Sequence, residues 1–271
     1  TATCGTGACF RSISQTCSAG SYTPACIPGS PTAETCNNVD DDCDGQTDED
    51  GVCGGSSGAI NITAAEDNLM DGTFGTDRTL NKGGYAFLSL GDKFGGDKPQ
   101  RGLIKFDLSA IPAGSTITSA TMELTCVSTN SGDTFTLSAY RLLKPWVEGA
   151  GPATGTANTA SSWNYWNYPS DWGSPGASSA SSSGSDNSGD GTGFDRLSTP
   201  VASTPVTGCS STKYRWAITS AVQNWKSGSW QNNGLVIISS GEGSSSSGKH
   251  FASSEYTTAS IRPKLVVTYQ Q

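Results

Sequence analysis

The chain has 271 residues, with 16 Lys+Arg, 24 Asp+Glu, one His and a formal net charge of −8. At roughly 150 residues per domain this allows about two domains. Hydrophobic residues at 34% suffice for a core, while charged residues at 15% fall short of the usual share of about 25%. The acidity is local: Glu34, Asp40, Asp41, Asp42, Asp44, Asp48, Glu49 and Asp50 sit in one segment, and the other 16 acids balance the 16 bases. With no basic patch to displace counterions, nucleic acid and anionic membranes are not expected as partners. The single His250 would have to serve any Ser-His-Asp, Cys-His or two-His metal site. In Gly-Lys-His-Phe it reads instead as a polar residue at a strand start. No apolar run approaches the ~18–20 residues of a membrane helix, so no membrane insertion is expected. With Thr1 first and no signal peptide, the chain reads as a mature or excised product.

Seven of the nine cysteines, Cys4, Cys9, Cys17, Cys26, Cys36, Cys43 and Cys53, fall in the first 53 residues, and only Cys126 and Cys209 lie beyond. Large apolar residues are few in this stretch, so it cannot offset its ordering entropy by burial and needs crosslinks or metal. Zinc sites favour close Cys-x2-Cys pairs, and none occurs here. The pattern therefore predicts a secreted disulfide framework over residues 1–55. Nine is odd, so one sulfur stays unpaired within the chain, either as a buried free thiol or as a bond to another chain. Cys126 and Cys209 pair with each other or supply the leftover partner.

Within this framework, Asp40-Asp41-Asp42-Cys43-Asp44-Gly45 places carboxylates at loop positions 1, 3 and 5 and Gly at 6, the front of a calcium loop. Gln46 can add its carbonyl at position 7 and Asp48 its carboxylate at 9. Position 12 is Gly51 rather than Glu, so Glu49 or Asp50 must close the shell, as in shorter loops without flanking helices. The expected ligands are Asp40, Asp42, Asp44, Gln46, Asp48 and Glu49, and the expected ion is Ca²⁺. Magnesium tolerates a crowded carboxylate shell less well, and copper or zinc would want His or free thiolate.

The run from Glu34 to Glu49, Glu-Thr-Cys-Asn-Asn-Val-Asp-Asp-Asp-Cys-Asp-Gly-Gln-Thr-Asp-Glu, resembles the MopE-type metal-binding motif of secreted bacterial proteins. That motif has the core Cys-x-Gly-x-Asp-x-Asp-Cys-Asp-Gly-x-x-Asp-Glu, and Asn38 stands here in place of its Gly. The preceding Cys4, Cys9, Cys17 and Cys26 resemble the Cys-rich lead-in that accompanies it. The copper chemistry of one member depends on histidines that this chain lacks and is not carried over.

Gly54–Gly58 reads as a linker, after which the pattern turns to period 2. Ile104, Phe106 and Leu108 alternate with Lys105 and Asp107, and Ala120, Met122, Leu124 and Cys126 with Thr121, Glu123 and Thr125. Phe135/Leu137, Tyr214/Trp216/Ile218 and Leu265/Val267/Tyr269 repeat the scheme, and Leu235–Ile238 is a solid apolar run. About eight to ten short strands of this kind predict an all-β protein, an antiparallel jelly-roll β-sandwich over 56–271. One short helix is expected over Ser220–Lys226, capped by Thr219 or Ser220 and stopped before Gly228. The Ser-rich stretch 174–195 reads as an insertion or long loop, and 244–247 as a shorter one.

Three stretches resemble a DNRLRE-type domain, a jelly-roll module related to carbohydrate-binding modules. These are Arg101–Ser109 running on through Ile111-Pro-Ala-Gly and Ile117–Ala120; Trp216–Thr219 with Val222, Trp225, Gly228 and Asn233-Gly-Leu; and Phe251–Glu255 with Arg262–Tyr269. The 174–195 insertion departs from the family. Trp146, Trp163, Tyr165, Trp166, Tyr168 and Trp172 crowd one segment. Trp163, Trp166 and Trp172 would form a sugar-stacking platform, or these rings form a satellite core under a long loop.

No nucleophile, general base or paired carboxylate stands in a site-like setting, and Glu66/Asp67 and Asp186/Asp190 read as ordinary loop acids, so an enzyme is not expected. Two functions are. One is a calcium-stabilised, self-associating extracellular or cell-surface filament, coat or matrix protein. The other is a module that binds a polysaccharide.

Overall fold

The computed structural model describes residues 1–49, 51–52, 57–92, 98–129, 132–181, 194–243 and 248–271. Cys53, Asp50, the 54–56 part of the linker, Asp186, Asp190 and the 244–247 loop lie outside the described residues. The chain divides into two compact units, Thr1–Ser57 and Gly58–Gln271.

The first unit contains little regular structure. Two antiparallel hairpins, Ala2–Cys4 with Arg11–Ile13 and Thr16–Ser18 with Ser21–Thr23, precede a long irregular segment. Crosslinks hold it where burial cannot. Cys4 bonds Cys26, Cys9 bonds Cys43, and Cys36 is also in a disulfide. Cys17 is the free cysteine among the described residues and is exposed on its hairpin, so the odd sulfur is not a buried thiol.

The second unit is all-β, a large curled antiparallel sheet. Its strands follow the order Ala202–Val206, Phe135–Arg141, Leu235–Ser239, Pro99–Phe106, Ser57–Asp71, Lys264–Gln270, Thr116–Thr129, Lys249–Ala252 and Phe87–Asp92. Phe87–Asp92 also pairs with Pro99–Phe106, which curls the sheet back on itself, and Thr212–Ala217 pairs with the other edge of Thr116–Thr129.

Period-2 alternation aims Met122, Leu124, Phe135, Leu137, Trp216, Phe251, Leu265 and Val267 into one core. Cys126 lies in this core and bonds Cys209, so these two pair with each other. The apolar run at Leu235–Ile238 is explained by burial on both faces. Leu235 and Ile237 join the main core, while Val236 joins a second cluster with Met70, Leu103, Leu142, Trp146, Trp163, Trp172 and Ala177.

One α-helix occurs among the described residues, Thr219–Lys226, burying Ala221, Val222 and Trp225. Its cap differs from expectation. Ile218 takes the cap position, because the Thr219 hydroxyl accepts the Ala120 N–H instead and ties the helix to the sheet. The 174–195 stretch also differs from a plain loop at its ends. Ala180–Ser181 pairs in parallel with Arg196–Leu197, and the Asp195 carboxylate accepts the N–H groups of Gly173, Ser174 and Ser179 while Lys144 approaches to 3.2 Å. Residues 182–193 lie outside the described ones.

Candidate metal centre

The acidic loop is built by main-chain donors that the sequence alone does not display. Asp42 Oδ1 accepts the Asp44 N–H and Asp44 Oδ1 accepts the Gln46 N–H, each two residues on, so successive carboxylates turn the chain around themselves. Gly45 has φ +94° and supplies the sharp turn expected of it. Asn38 has φ +61°, the left-handed region that Gly would occupy in the motif and that Asn tolerates better than most residues. The Cys9–Cys43 disulfide, the Ala8 N–H donated to the Asp40 carbonyl, and the Thr6 hydroxyl donated to the Cys43 carbonyl strap the loop to the first hairpin.

Two groups of carboxylates result. Asp40, Asp42 and Asp44 present oxygens all within 4.8 Å of one another, and so do Glu34, Asp42 and Glu49. Oxygens that close can be shared by one calcium ion, which holds its ligands at about 2.3–2.6 Å. Asp40 is 8% exposed; its Oδ2 accepts the Gly45 N–H, and its buried Oδ1 has no hydrogen-bond partner among the described residues. Both oxygens of Glu49 are buried and without such a partner as well. Orphaned buried carboxylate oxygens are rare, because each one loses hydration and gains nothing in return. Burial holds the Glu49 carboxyl above its ordinary range, and the charges of Glu34, Asp44 and Asp42 push the same way. The Glu49 main-chain N–H opposes this in part without hydrogen-bonding geometry. A divalent cation relieves this crowding, so the residues fit a calcium ion.

Three expected or overlooked ligands need separate placement. Asp48 belongs to neither group: its oxygens accept the N–H groups of Asn37 and Asn38, which buttresses the left-handed turn. Gln46 turns its side-chain amide onto Asp44 Oδ2. Glu34 is the residue that spacing missed. Its Oε1 accepts the Asp41 and Asp42 N–H groups and its Oε2 the Asp48 N–H, so it organises the loop from behind and also joins the second group. It precedes the Asp-x-Asp-x-Asp run, and only the fold-back of the chain brings it there. Asp41 belongs to neither group; the Thr35 hydroxyl, opposed by burial and aided by Asn37, holds its carboxyl below the usual range.

The three tryptophans do not form a platform. Trp163 and Trp172 are 5% and 3% exposed and Trp166 is half-buried, all in the second apolar cluster. The Trp172 Nε1–H donates to the Ser162 carbonyl, and the Arg101 guanidinium covers the Trp163 ring at 4.9 Å. Trp163 and Trp172 have no surface left for a pyranose and serve as a satellite core, against which Trp166 packs.

A third acidic group lies in the second unit, where Glu66 and Asp67 are on the Ser57–Asp71 strand and not in a loop. Asp67, Glu148 and Glu255 present oxygens within 4.8 Å of one another. Asp67 Oδ2 accepts the Ser254 N–H, Glu148 Oε1 accepts the Asp67 N–H, and Glu255 Oε1 accepts the Ser254 hydroxyl. Burial, with the charge of Glu255 second, raises the Asp67 carboxyl to about 8, and burial raises Glu148 to about 7. These groups hold protons where ordinary carboxylates do not.

Comparison with family models and with curated proteins finds no match, so the reading of the site rests on its own residues. Among the described residues no helix is long and apolar enough to cross a membrane.

Proposed function

We propose that the protein is a non-catalytic, calcium-stabilised structural protein of the extracellular space or cell surface that associates with further copies of itself into a filament, coat or matrix. The orphaned, buried oxygens of Asp40 and Glu49 carry the calcium reading, because no donor among the described residues meets them. The MopE-type resemblance of Glu34–Glu49 points the same way. Disulfides of this density belong to oxidising compartments, where free calcium is also plentiful.

Self-association is supported by the surface of the first unit. Cys17 offers an exposed thiol on a hairpin, directly across from Tyr22, and Tyr22, Phe10 and Ile27 are all more than half exposed. Large apolar side chains left in water on so small a unit are suited to contact with another surface. The DNRLRE-type resemblance leaves polysaccharide as a partner, but Trp163, Trp166 and Trp172 do not provide the binding face.

Sedimentation velocity of the oxidised protein with calcium present tests the assembly. Species larger than one chain are expected, and loss of their covalent fraction in Cys17→Ser. A single monomeric boundary at all concentrations refutes it.

A further inference from the structure

We propose that Asn61 is a glycosylation site, and that its amide nitrogen carries an N-linked oligosaccharide covering an open edge of the sheet in the second unit. This goes beyond the proposed function and rests on one part of it, the extracellular reading, because such chains are attached to exported protein.

The sequence offers one acceptor. Among its asparagines only Asn61 is followed two residues on by Ser or Thr, in Asn61-Ile62-Thr63, with no Pro between. These residues lie in the Ser57–Asp71 strand, where successive side chains point to opposite faces. Ile62 is buried in the main core and Ile60 packs against it, while Ser57, Ala59, Asn61 and Thr63 are exposed. The strand therefore buries the middle residue of the acceptor and presents Asn61 and Thr63 together on the outer face.

The second observation is the position of this stretch at a rim. Gly58 meets the Tyr269 ring and Thr63 shares a small hollow with Arg262 and Pro263, so 57–63 runs along Lys264–Gln270. Pairing with Pro99–Phe106 begins only at Ala64. Among the described residues no strand flanks 57–63 on its other side. An open edge offers its N–H and C=O groups to other strands, and charged residues or Pro commonly guard it. Ser57–Thr63 has neither. An oligosaccharide on Asn61 supplies that guard by bulk and hydration. Short side chains on the neighbouring strands leave room for it: the Thr118 and Thr268 hydroxyls bond at 2.9 Å, and Thr268 donates to the Ser119 hydroxyl at 3.0 Å.

The chemistry is a substitution at the anomeric carbon of a lipid phosphate-linked oligosaccharide. A bond forms between Asn61 Nδ2 and C1 as the bond from C1 to the phosphate oxygen breaks. The proton lost from the amide ends on the departing lipid phosphate. Thr63 keeps its hydroxyl and marks the acceptor for the transferase.

Tandem mass spectrometry of the protein recovered from outside the cells that make it tests this. Peptides spanning Asn61 are expected to carry saccharide mass localised to that side chain, lost in Thr63→Ala and retained in Thr63→Ser. Bare Asn61 in the extracellular protein overturns the inference and leaves the extracellular reading standing. Protein found only inside the cell overturns that reading and the inference with it. Saccharide mass on Asn61 that persists in Thr63→Ala overturns the assigned acceptor motif.

Discussion

Replacing Cys126 and Cys209 by Ala removes the disulfide that closes a separation of 83 residues within the second unit. In the chain-entropy description, a loop of this length contributes about 4.5 kcal/mol by restricting the unfolded chain. The native contacts near the bond should survive its loss. The Thr207 N–H donates to the Tyr214 hydroxyl, that hydroxyl donates to the Gly208 carbonyl, and Lys249 Nζ donates to the Thr207 carbonyl. These bonds keep the segment carrying Cys209 in place, so the effect falls on the unfolded state. All seven tryptophans lie in the second unit, so guanidinium unfolding followed by tryptophan fluorescence reports that unit alone. For a unit of this size, about 4.5 kcal/mol corresponds to a melting temperature lower by roughly 10–18 °C. A double variant within about 1 kcal/mol of the parent, with an unchanged denaturant slope, would refute the reasoning.

Chelation with EGTA is expected to raise protease cleavage within residues 34–49 while leaving the tryptophan-reported transition unmoved; limited proteolysis with mass mapping checks both halves, and equal cleavage with and without calcium counts against the loop's dependence on metal. Asp67 and Glu148 are held well above their ordinary 3.8 and 4.5, so the folded state binds protons the unfolded state has released. Their contribution is fully present below about pH 4 and is lost as pH rises through about 7 to 8, so the melting temperature of the second unit should fall between pH 6 and 9. Asp67→Asn, which cannot ionise, should flatten that fall, and an identical decline in the variant argues against it. Trp163→Ala empties a buried site packed against Gly72 and Gly176 and should cost about 3–5 kcal/mol without changing retention on polysaccharide columns; a stable variant that loses such retention would restore the ring as a binding residue.

The sheet was legible wherever one face meets the core and the other meets water. Phe135–Arg141 alternates as its sequence does, whereas Thr116–Thr129 is buried on both faces from Met122 to Cys126, with Glu123 and Thr125 covered as well. Legibility ended where both faces are covered. The run Leu235–Ile238 does not announce that Val236 packs on tryptophans, and Asp67 sits on a strand, where a loop acid was expected. In the acidic loop, Asp40, Asp42, Asp44 and Glu49 were recoverable from spacing, because a tight turn converges alternate oxygens. Glu34 was not, since it arrives by a fold-back secured through three main-chain N–H bonds. Asp48 has the register of a ligand, and the fold adds what spacing does not display: its oxygens accept the N–H groups of Asn37 and Asn38 at the left-handed turn.

Equilibrium dialysis of the intact, oxidised protein against micromolar calcium in a large excess of magnesium tests the central claim most directly. Calcium retained on the protein, and reduced by Asp40→Asn, is the predicted result. Protein that leaves the cell carrying no more calcium than the surrounding buffer would contradict it.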